Sequence, residues 1–139
     1  EIVMWLEFRR VLFRSREFLG CYYSISGKVV RGKGLGKKLS IPTANININN
    51  NIVLPKNGVY KTIVQVRDKK YKALTNIGLN PTFENHPYSI ENYILDFNED
   101  IYGRDIEIYF LKRIRPEKRF DTLDQLVAQV QKDIEIVRE

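Results

Sequence analysis

The hydrophobic pattern of the chain changes its period once, and this change limits the folds that it can adopt. Between residues 24 and 114, short runs rich in β-branched and aromatic residues alternate with turn-forming Gly, Pro, Asn and Asp, which is typical of strands. Between residues 122 and 137, apolar residues recur at helical spacing and predict one amphipathic helix. The predicted strands cover residues 24–31, 44–48, 59–66, 71–77, 90–97 and 106–114.

The predicted fold class is mostly β, with about six strands and a C-terminal helix. Short antiparallel strands in this number usually close into a barrel or sandwich, because closure removes unpaired edges. The 139 residues suffice for one domain. A single cysteine, Cys21, rules out an internal disulfide framework, and a single histidine argues against structural zinc. A reducing cytoplasm is the expected setting for a chain with so little cysteine. No apolar run reaches the roughly 18–20 residues of a membrane span.

The net charge of +6 indicates an anionic ligand, which could be a nucleic acid, a membrane surface or a nucleoside triphosphate. The cations are scattered along the chain, which weakens the case for one long nucleic-acid stripe. The glycine-rich segment 31–41 could offer backbone N–H groups to phosphates at Gly32, Gly34 and Gly36, beside Lys37. It matches neither a Walker motif nor a dinucleotide fingerprint. A flexible hairpin loop is the alternative.

A second segment, Pro-Thr-Ala-Asn at 42–45, offers a possible metal site. Thr43 and Asn45 are two positions apart, so on a strand they share one side. A hydroxyl and an amide oxygen form a weak neutral site that suits Mg²⁺ arriving with ATP, because Mg²⁺ keeps phosphate oxygens and waters as ligands. The alternative is that both are polar residues at the end of a loop.

Two further positions could carry chemistry. Glu91 lies in an otherwise largely apolar strand pattern and is expected to point to the barrel interior or its mouth, where a carboxylate could act as a general base. A rim glutamate paired with lysine is the alternative. Between the last strand and the helix, Arg115, Lys118 and Phe120 could hold a planar ring and a phosphate. Alternatively, Phe120 packs under the helix and the cations are solvated.

Four segments in order carry a family resemblance: GKVVRGKGLGKKLSIPTANI, NIGLNPTF, IENYILDFNEDIYG and RPEKRFDTLDQL. Together they resemble riboflavin kinases, including the C-terminal half of bacterial bifunctional FAD synthetases. The resemblance begins near Phe18, so residues 16–139 are predicted to be a riboflavin kinase domain. Residues 1–15 do not match and are interpreted as a fusion remnant or the end of an upstream linker or domain.

The resemblance implies a six-stranded antiparallel Greek-key barrel with a C-terminal helix. It implies transfer of the γ-phosphate of Mg-ATP to the ribityl 5′-hydroxyl of riboflavin, giving FMN and ADP. The implied roles are ATP binding by Gly32, Lys37, Thr43, Asn45, Ile94 and Tyr102, metal binding by Thr43 and Asn45, catalysis by Glu91, and flavin binding by Arg115, Lys118 and Phe120. The two ligands would meet across the barrel mouth.

Three positions depart from the family pattern, since Lys37, Ser40 and Tyr93 replace the usual arginine, glycine and histidine. None removes a residue that the implied mechanism needs. The resemblance also implies an upstream FMN adenylyltransferase domain in the full-length protein, so this chain alone is expected to make FMN and not FAD. The alternatives are a basic barrel that binds nucleic acid and a catalytically silent flavin-binding module. We expect neither nucleic acid nor membrane as a partner.

Overall fold

The strands predicted from the alternating pattern close into a barrel. The computed structural model describes residues 22–30, 43–47, 53–79 and 88–139. Its elements in chain order are β1 (Ser24–Val30), β2 (Thr43–Asn47), β3 (Gly58–Val66), β4 (Lys69–Leu79), β5 (Tyr88–Ile94), β6 (Asp105–Arg115) and the helix α1 (Leu123–Arg138). The strands are antiparallel, in the closed order β1-β2-β5-β4-β3-β6. The mostly β barrel with a C-terminal helix is therefore confirmed.

The connection from β2 to β3 gives the barrel its Greek-key character. β2 pairs with β5 and not with the next strand in sequence, while β3, β4 and β5 follow one another as neighbours. This is the arrangement of a Greek key. It brings residues 43–47 next to residues 88–94, which are far apart in the sequence.

Apolar side chains from every strand fill the barrel interior. Tyr60 and Phe110 are the largest of them, and their rings meet edge to face with centroids 5.2 Å apart. The remaining interior is formed mainly by the aliphatic residues Ile25, Val29, Ala44, Ile46, Val64, Val66, Ala73, Ile77, Ile90, Ile94, Ile106 and Ile108. This interior accounts for the alternating pattern, since every second strand residue points into it.

The helix α1 covers part of the barrel's outer surface. Its buried residues Val130, Ile134 and Val137 pack against side chains that point outwards from β3, β4 and the β5 end, namely Val59, Leu74, Tyr93 and Leu95. Thr122 caps the helix, because its hydroxyl accepts a hydrogen bond from Gln125 N at 3.3 Å. The Gln125 side chain in turn accepts from Asp121 N, one residue before the cap. No helix in the described part of the chain is long and apolar enough to cross a membrane.

Two turns shift the predicted strand ends. Arg67 takes a positive φ of 58° in the short β3–β4 turn, so β4 begins at Lys69. Asp96 takes a positive φ of 55° and ends β5 at Ile94, three residues before the predicted end. Phe97 then re-enters the interior core, where its ring packs on Tyr71.

Candidate active site

One row of outward-pointing residues crosses five neighbouring strands. Asn45 on β2 lies directly opposite Glu91 on β5, and Glu91 lies opposite Asn76 on β4. Asn76 faces Val59 on β3, which in turn faces Arg115 at the end of β6. We call these five residues the outer-face row. Cross-strand partners of this kind have Cβ atoms about 4.5–5.5 Å apart, so the row joins the predicted metal pair, the predicted base and the predicted flavin site.

The structure corrects the predicted orientation of Glu91. Its strand neighbours Ile90 and Asn92 are buried in the barrel, so alternation turns Glu91 to the outer face. The sequence pattern grouped Glu91 with Phe97, but the turn at Asp96 interrupts the strand between them. The carboxylate therefore lies on the barrel's outside, in the same face as the residues covered by α1.

Tyr93 is the immediate same-face neighbour of Glu91 on β5. Its phenol donates a hydrogen bond to the Glu91 carboxylate. Burial, and then the nearby Glu91 charge, raise the pKa of Tyr93 well above its usual value, while Arg115 acts in the opposite direction. The phenol consequently stays protonated at neutral pH and remains a hydrogen-bond donor to Glu91.

Thr43 and Asn45 share the outer face of β2, as the sequence spacing predicts. Thr43 lies opposite Tyr93, and Asn45 lies opposite Glu91. Both residues are only partly buried, so one hydroxyl and one amide remain accessible next to a carboxylate. This neutral oxygen pair fits a Mg²⁺ ion that brings phosphate oxygens and waters as its other ligands.

A buried hydrogen-bond chain fixes β2 against β5 from the inside of the barrel. Asn92 Nδ2 donates to the Ala44 carbonyl at 3.0 Å, and Asn92 Oδ1 accepts from Thr75 Oγ1 at 2.6 Å. Thr75 Oγ1 also lies 2.8 Å from Thr62 Oγ1. Because Ala44 lies between Thr43 and Asn45, this chain aligns the predicted metal pair with the Glu91 strand.

A small cleft lies beside the outer-face row, between the barrel and the start of α1. Its volume is about 40 Å³, and its walls include Val59, Leu74, Asn76, Tyr93, Arg115, Glu117, Lys118 and Phe120. The predicted flavin residues come together here: the Arg115 guanidinium lies 5.9 Å and the Lys118 ammonium 5.6 Å from the centre of the Phe120 ring. An aromatic face with two cations can hold a planar ring.

Glycine at position 78 leaves room for the far wall of this cleft. A Cβ atom built on Gly78 would collide with the Glu117 carboxylate. The Glu117 side chain, in the segment that follows β6, therefore lies against β4, and a side chain at position 78 would displace this carboxylate.

Arg115 is held by a buried partner that the sequence reasoning missed. Asp133 on α1 is 1 % exposed, and its Oδ2 accepts from both Nε and Nη2 of Arg115 at 2.9 Å. Gln129 donates to the other carboxylate oxygen at 3.0 Å. The signal was present in the sequence, since position 133 falls on the apolar stripe between Val130 and Val137.

Not all predicted site residues lie on the outer face. The Ile94 side chain is inside the barrel. Tyr102 is 56 % exposed in the β5–β6 turn, where Gly103 N donates to the Val29 carbonyl near the end of β1. Gly32 and Lys37, together with residues 1–15, lie outside the described residues.

Known proteins that are similar to this chain share one family description. The family model described as riboflavin kinase matches residues 19–139. A bifunctional riboflavin kinase/FMN adenylyltransferase of Bacillus subtilis is 41 % identical over 118 residues, which are 83 % of this chain and 37 % of that protein. The RNA-binding riboflavin kinase RibR of the same organism is 43 % identical over 114 residues, 81 % of this chain and 49 % of that protein. The chain therefore spans less than half the length of these relatives.

A solved structure supports the fold as well as the family. The crystal structure of riboflavin kinase from Trypanosoma brucei superposes with a TM-score of 0.60 at 29 % sequence identity. The match covers 83 % of this chain and 76 % of that one. The barrel and its C-terminal helix thus have a counterpart in a riboflavin kinase.

Proposed function

Because the chain belongs to the riboflavin kinase family, we propose that it transfers the γ-phosphate of ATP to the ribityl 5′-hydroxyl of riboflavin, giving FMN and ADP. The observation that supports this most directly is the placement of Glu91 opposite Asn45. A carboxylate that could accept a hydroxyl proton then stands beside an amide oxygen that could hold the metal of a nucleotide. Phosphoryl transfer depends mainly on such positioning and on charge stabilisation.

Glu91 is assigned as the general base. Its carboxylate is held by the Tyr93 phenol and could accept the proton of the 5′-hydroxyl as that oxygen attacks phosphorus. General-base assistance typically contributes about 10²–10⁴-fold to the rate. A hydrogen bond from Tyr93 limits the rotation of the carboxylate and so favours one productive orientation.

Thr43 and Asn45 are assigned to the metal and the nucleotide phosphates. A Mg²⁺ ion held there would neutralise part of the charge on the phosphate oxygens. Gly32 and Lys37 would bind the phosphates from the glycine-rich segment. Tyr102 is assigned to the nucleotide because its turn lies against the end of β1, which leads into that segment. Ile94 could contribute to the same site only through its backbone, because its side chain lies inside the barrel.

The flavin is assigned to the cleft beside Phe120. The Phe120 ring offers a stacking surface, and the Lys118 ammonium lies beside it as a cation at the ring end of the flavin. Arg115 is already paired with Asp133, so its main contribution would be to hold the Phe120 segment in place. The ribityl chain would then run along the outer-face row, from Phe120 past Asn76 to Glu91.

The test is a chromatographic assay of FMN formation with riboflavin, ATP and Mg²⁺, run on the parent chain and on Glu91→Gln. We expect FMN from the parent and a loss of about 100-fold or more in kcat in the variant, with ATP affinity retained. Glu107→Gln is the matched control, because Glu107 is an outer-face carboxylate that accepts from Ser24 on the other side of the barrel. A parent chain that binds flavin but forms no FMN would refute the kinase assignment, and normal turnover by Glu91→Gln would refute the base.

The metal assignment has its own test. Asn45→Ala should raise the Mg²⁺ concentration needed for half-maximal turnover, because one of the two protein oxygens is lost. Asn47→Ala is the control, since Asn47 follows two positions later on the same face of β2 and pairs with Lys28 on β1. An unchanged Mg²⁺ titration in Asn45→Ala would contradict the site.

We further propose that the full-length protein carries an FMN adenylyltransferase domain, because the Bacillus subtilis relative is named as bifunctional and extends well beyond the matched region. The present residues supply the kinase step alone, so the assay should show FMN without FAD. Appearance of FAD from the purified chain would contradict this division.

A second candidate function is RNA binding, favoured by the similarity to a relative named an RNA-binding riboflavin kinase and by the net charge of +6. It predicts oligonucleotide binding that weakens steeply with salt. Fluorescence anisotropy with a labelled RNA at low and physiological salt would test it. Binding that is absent at low salt would eliminate this function and leave the kinase assignment untouched.

A further inference from the structure

Asn76 occupies the centre of the candidate site but has no role assigned so far. It lies on the outer face of β4, directly opposite Glu91 on one side and Val59 on the other. It also lines the cleft that contains Tyr93 and Phe120. Any ligand that extends from the Phe120 ring to the Glu91 carboxylate must therefore pass over Asn76.

The Asn76 amide oxygen is buried and unsatisfied. Within the described ranges, no group donates a hydrogen bond to Asn76 Oδ1. A buried acceptor without a donor is unfavourable, so a native structure that keeps one calls for an explanation. Because this residue borders the cleft, a donor that enters the cleft can satisfy the oxygen.

The position of Asn76 defines which donor that is. Its Cβ atom and that of Glu91 are cross-strand partners, about 4.5–5.5 Å apart. Once the terminal hydroxyl of a polyol is held by Glu91, a hydroxyl on one of the next carbons lies within reach of the neighbouring acceptor. We propose that Asn76 accepts a hydrogen bond from a secondary hydroxyl of the ribityl chain and thereby selects a polyol side chain over a plain alcohol.

The inference rests on the proposed function for the identity of the flavin substrate. It extends that function by assigning substrate selectivity to a residue outside the base, the metal pair and the ring-stacking group. A site that hydrogen-bonds a substrate hydroxyl rejects an analogue without it more strongly than an apolar pocket can, because its polar group is left unpaired. Asn76 should therefore act on the choice of substrate more than on the chemistry of transfer.

The experiment compares riboflavin with an isoalloxazine that carries a hydroxypentyl chain, which keeps the primary hydroxyl and lacks the secondary ones. kcat/KM is measured for both flavins with the parent, Asn76→Leu and the control Gln65→Leu. Gln65 is an outer-face amide of β3 that pairs with Glu107, at the opposite end of that strand. The parent should prefer riboflavin by about tenfold or more. Asn76→Leu should lower kcat/KM for riboflavin about 10-fold or more and leave that for the analogue nearly unchanged.

Three outcomes would overturn the inference: equal use of both flavins by the parent, an equal loss for both in Asn76→Leu, or no loss for riboflavin. If Asn76→Leu does not fold, as judged by circular dichroism, the inference is tested with Asn76→Ala and with the ratio of kcat/KM for riboflavin to kcat/KM for the analogue in the parent. Fluorescence titration of both flavins without ATP separates this inference from the proposed function. If the parent phosphorylates neither flavin, tighter binding of riboflavin that is lost in Asn76→Leu would still support the Asn76 contact, and equal binding would refute it.

Discussion

Asp133 of α1 and Arg115 of β6 form a buried ion pair, with Arg115 Nη2 2.9 Å from Asp133 Oδ2. The pair joins the C-terminal helix to the strand that ends at the candidate flavin site. Arg115 also lies against the Phe120 ring, 5.9 Å from its centre. The amphipathic helix is therefore more than a cover for the barrel, because it fixes the residues assigned to flavin binding.

Replacing Asp133 should weaken flavin binding and the fold together. In Asp133→Leu the Arg115 guanidinium loses its partner, and removal of one member of a buried pair costs about 3–5 kcal/mol. The lower end is expected, since the Arg115 side chain is 18 % exposed and can reach water. Urea unfolding and riboflavin fluorescence quenching would measure the two effects. Glu135→Leu, a change at an exposed position of the same helix, should alter neither, and a normal riboflavin affinity in folded Asp133→Leu would contradict the coupling.

The buried hydrogen bond between Asn92 and Thr75 predicts how the free energy of unfolding changes when one or both residues are replaced. Asn92→Leu should lower the free energy of unfolding by about 1–3 kcal/mol, because the Thr75 hydroxyl loses its acceptor. Replacing both polar partners by apolar groups is less costly than replacing one. The double variant Asn92→Leu/Thr75→Val should therefore be more stable than the sum of the two single changes predicts. Strict additivity in urea unfolding would show that this hydrogen bond contributes nothing.

The sequence was sufficient for the fold class because the two periods are local properties. Strand alternation and the helical stripe are each set by neighbouring residues, so six strands and α1 could be predicted without tertiary information. The outer-face row could not be predicted in this way, because Asn45 lies opposite Glu91 only through the pairing register of β2 with β5. The face on which the Glu91 side chain lies could not be predicted either. It depends on the turn at Asp96, and the sequence has no glycine at this position of positive φ to indicate a turn.

Some residues of the candidate site could be predicted from the sequence, and others could not. Family motifs brought attention to Thr43, Glu91 and Phe120, each of which lies on the outer face or beside the cleft. Asn76 could not be predicted, because an amide in a strand has no local signature of function. The position of Asp133 on the apolar stripe of the helix indicates that it is buried, but does not identify Arg115 as its partner. The significance of Asn76 and Asp133 comes from burial and from their partners, which only the three-dimensional arrangement supplies.

The β3–β4 turn offers a stabilising change. Arg67 has a φ of 58°, a left-handed conformation that costs a residue with a Cβ atom about 1–2 kcal/mol and costs glycine little. Arg67→Gly should therefore raise the free energy of unfolding by up to about 1 kcal/mol after glycine's greater loss of chain entropy is counted. Arg67→Ala removes the same charge and keeps the strain, so it separates the two causes. A gain of equal size in Arg67→Ala would mean that charge, and not backbone conformation, is responsible.

The hydrogen bond from Tyr93 to Glu91 predicts a functional coupling between them. Tyr93→Phe keeps the ring that packs under α1 and removes only the donor, so kcat should fall about tenfold while the affinity for ATP is retained. In the Glu91→Gln background the same change should have little further effect, because residues that act through one another are not additive. Tyr93→His, which restores a side-chain N–H donor, should recover part of the rate. Tyr109→Phe is the control, since it removes a phenol bonded to Gln65 on the far side of β3. Equal losses from Tyr93→Phe in the parent and in Glu91→Gln would place its effect in packing and not in the orientation of the carboxylate.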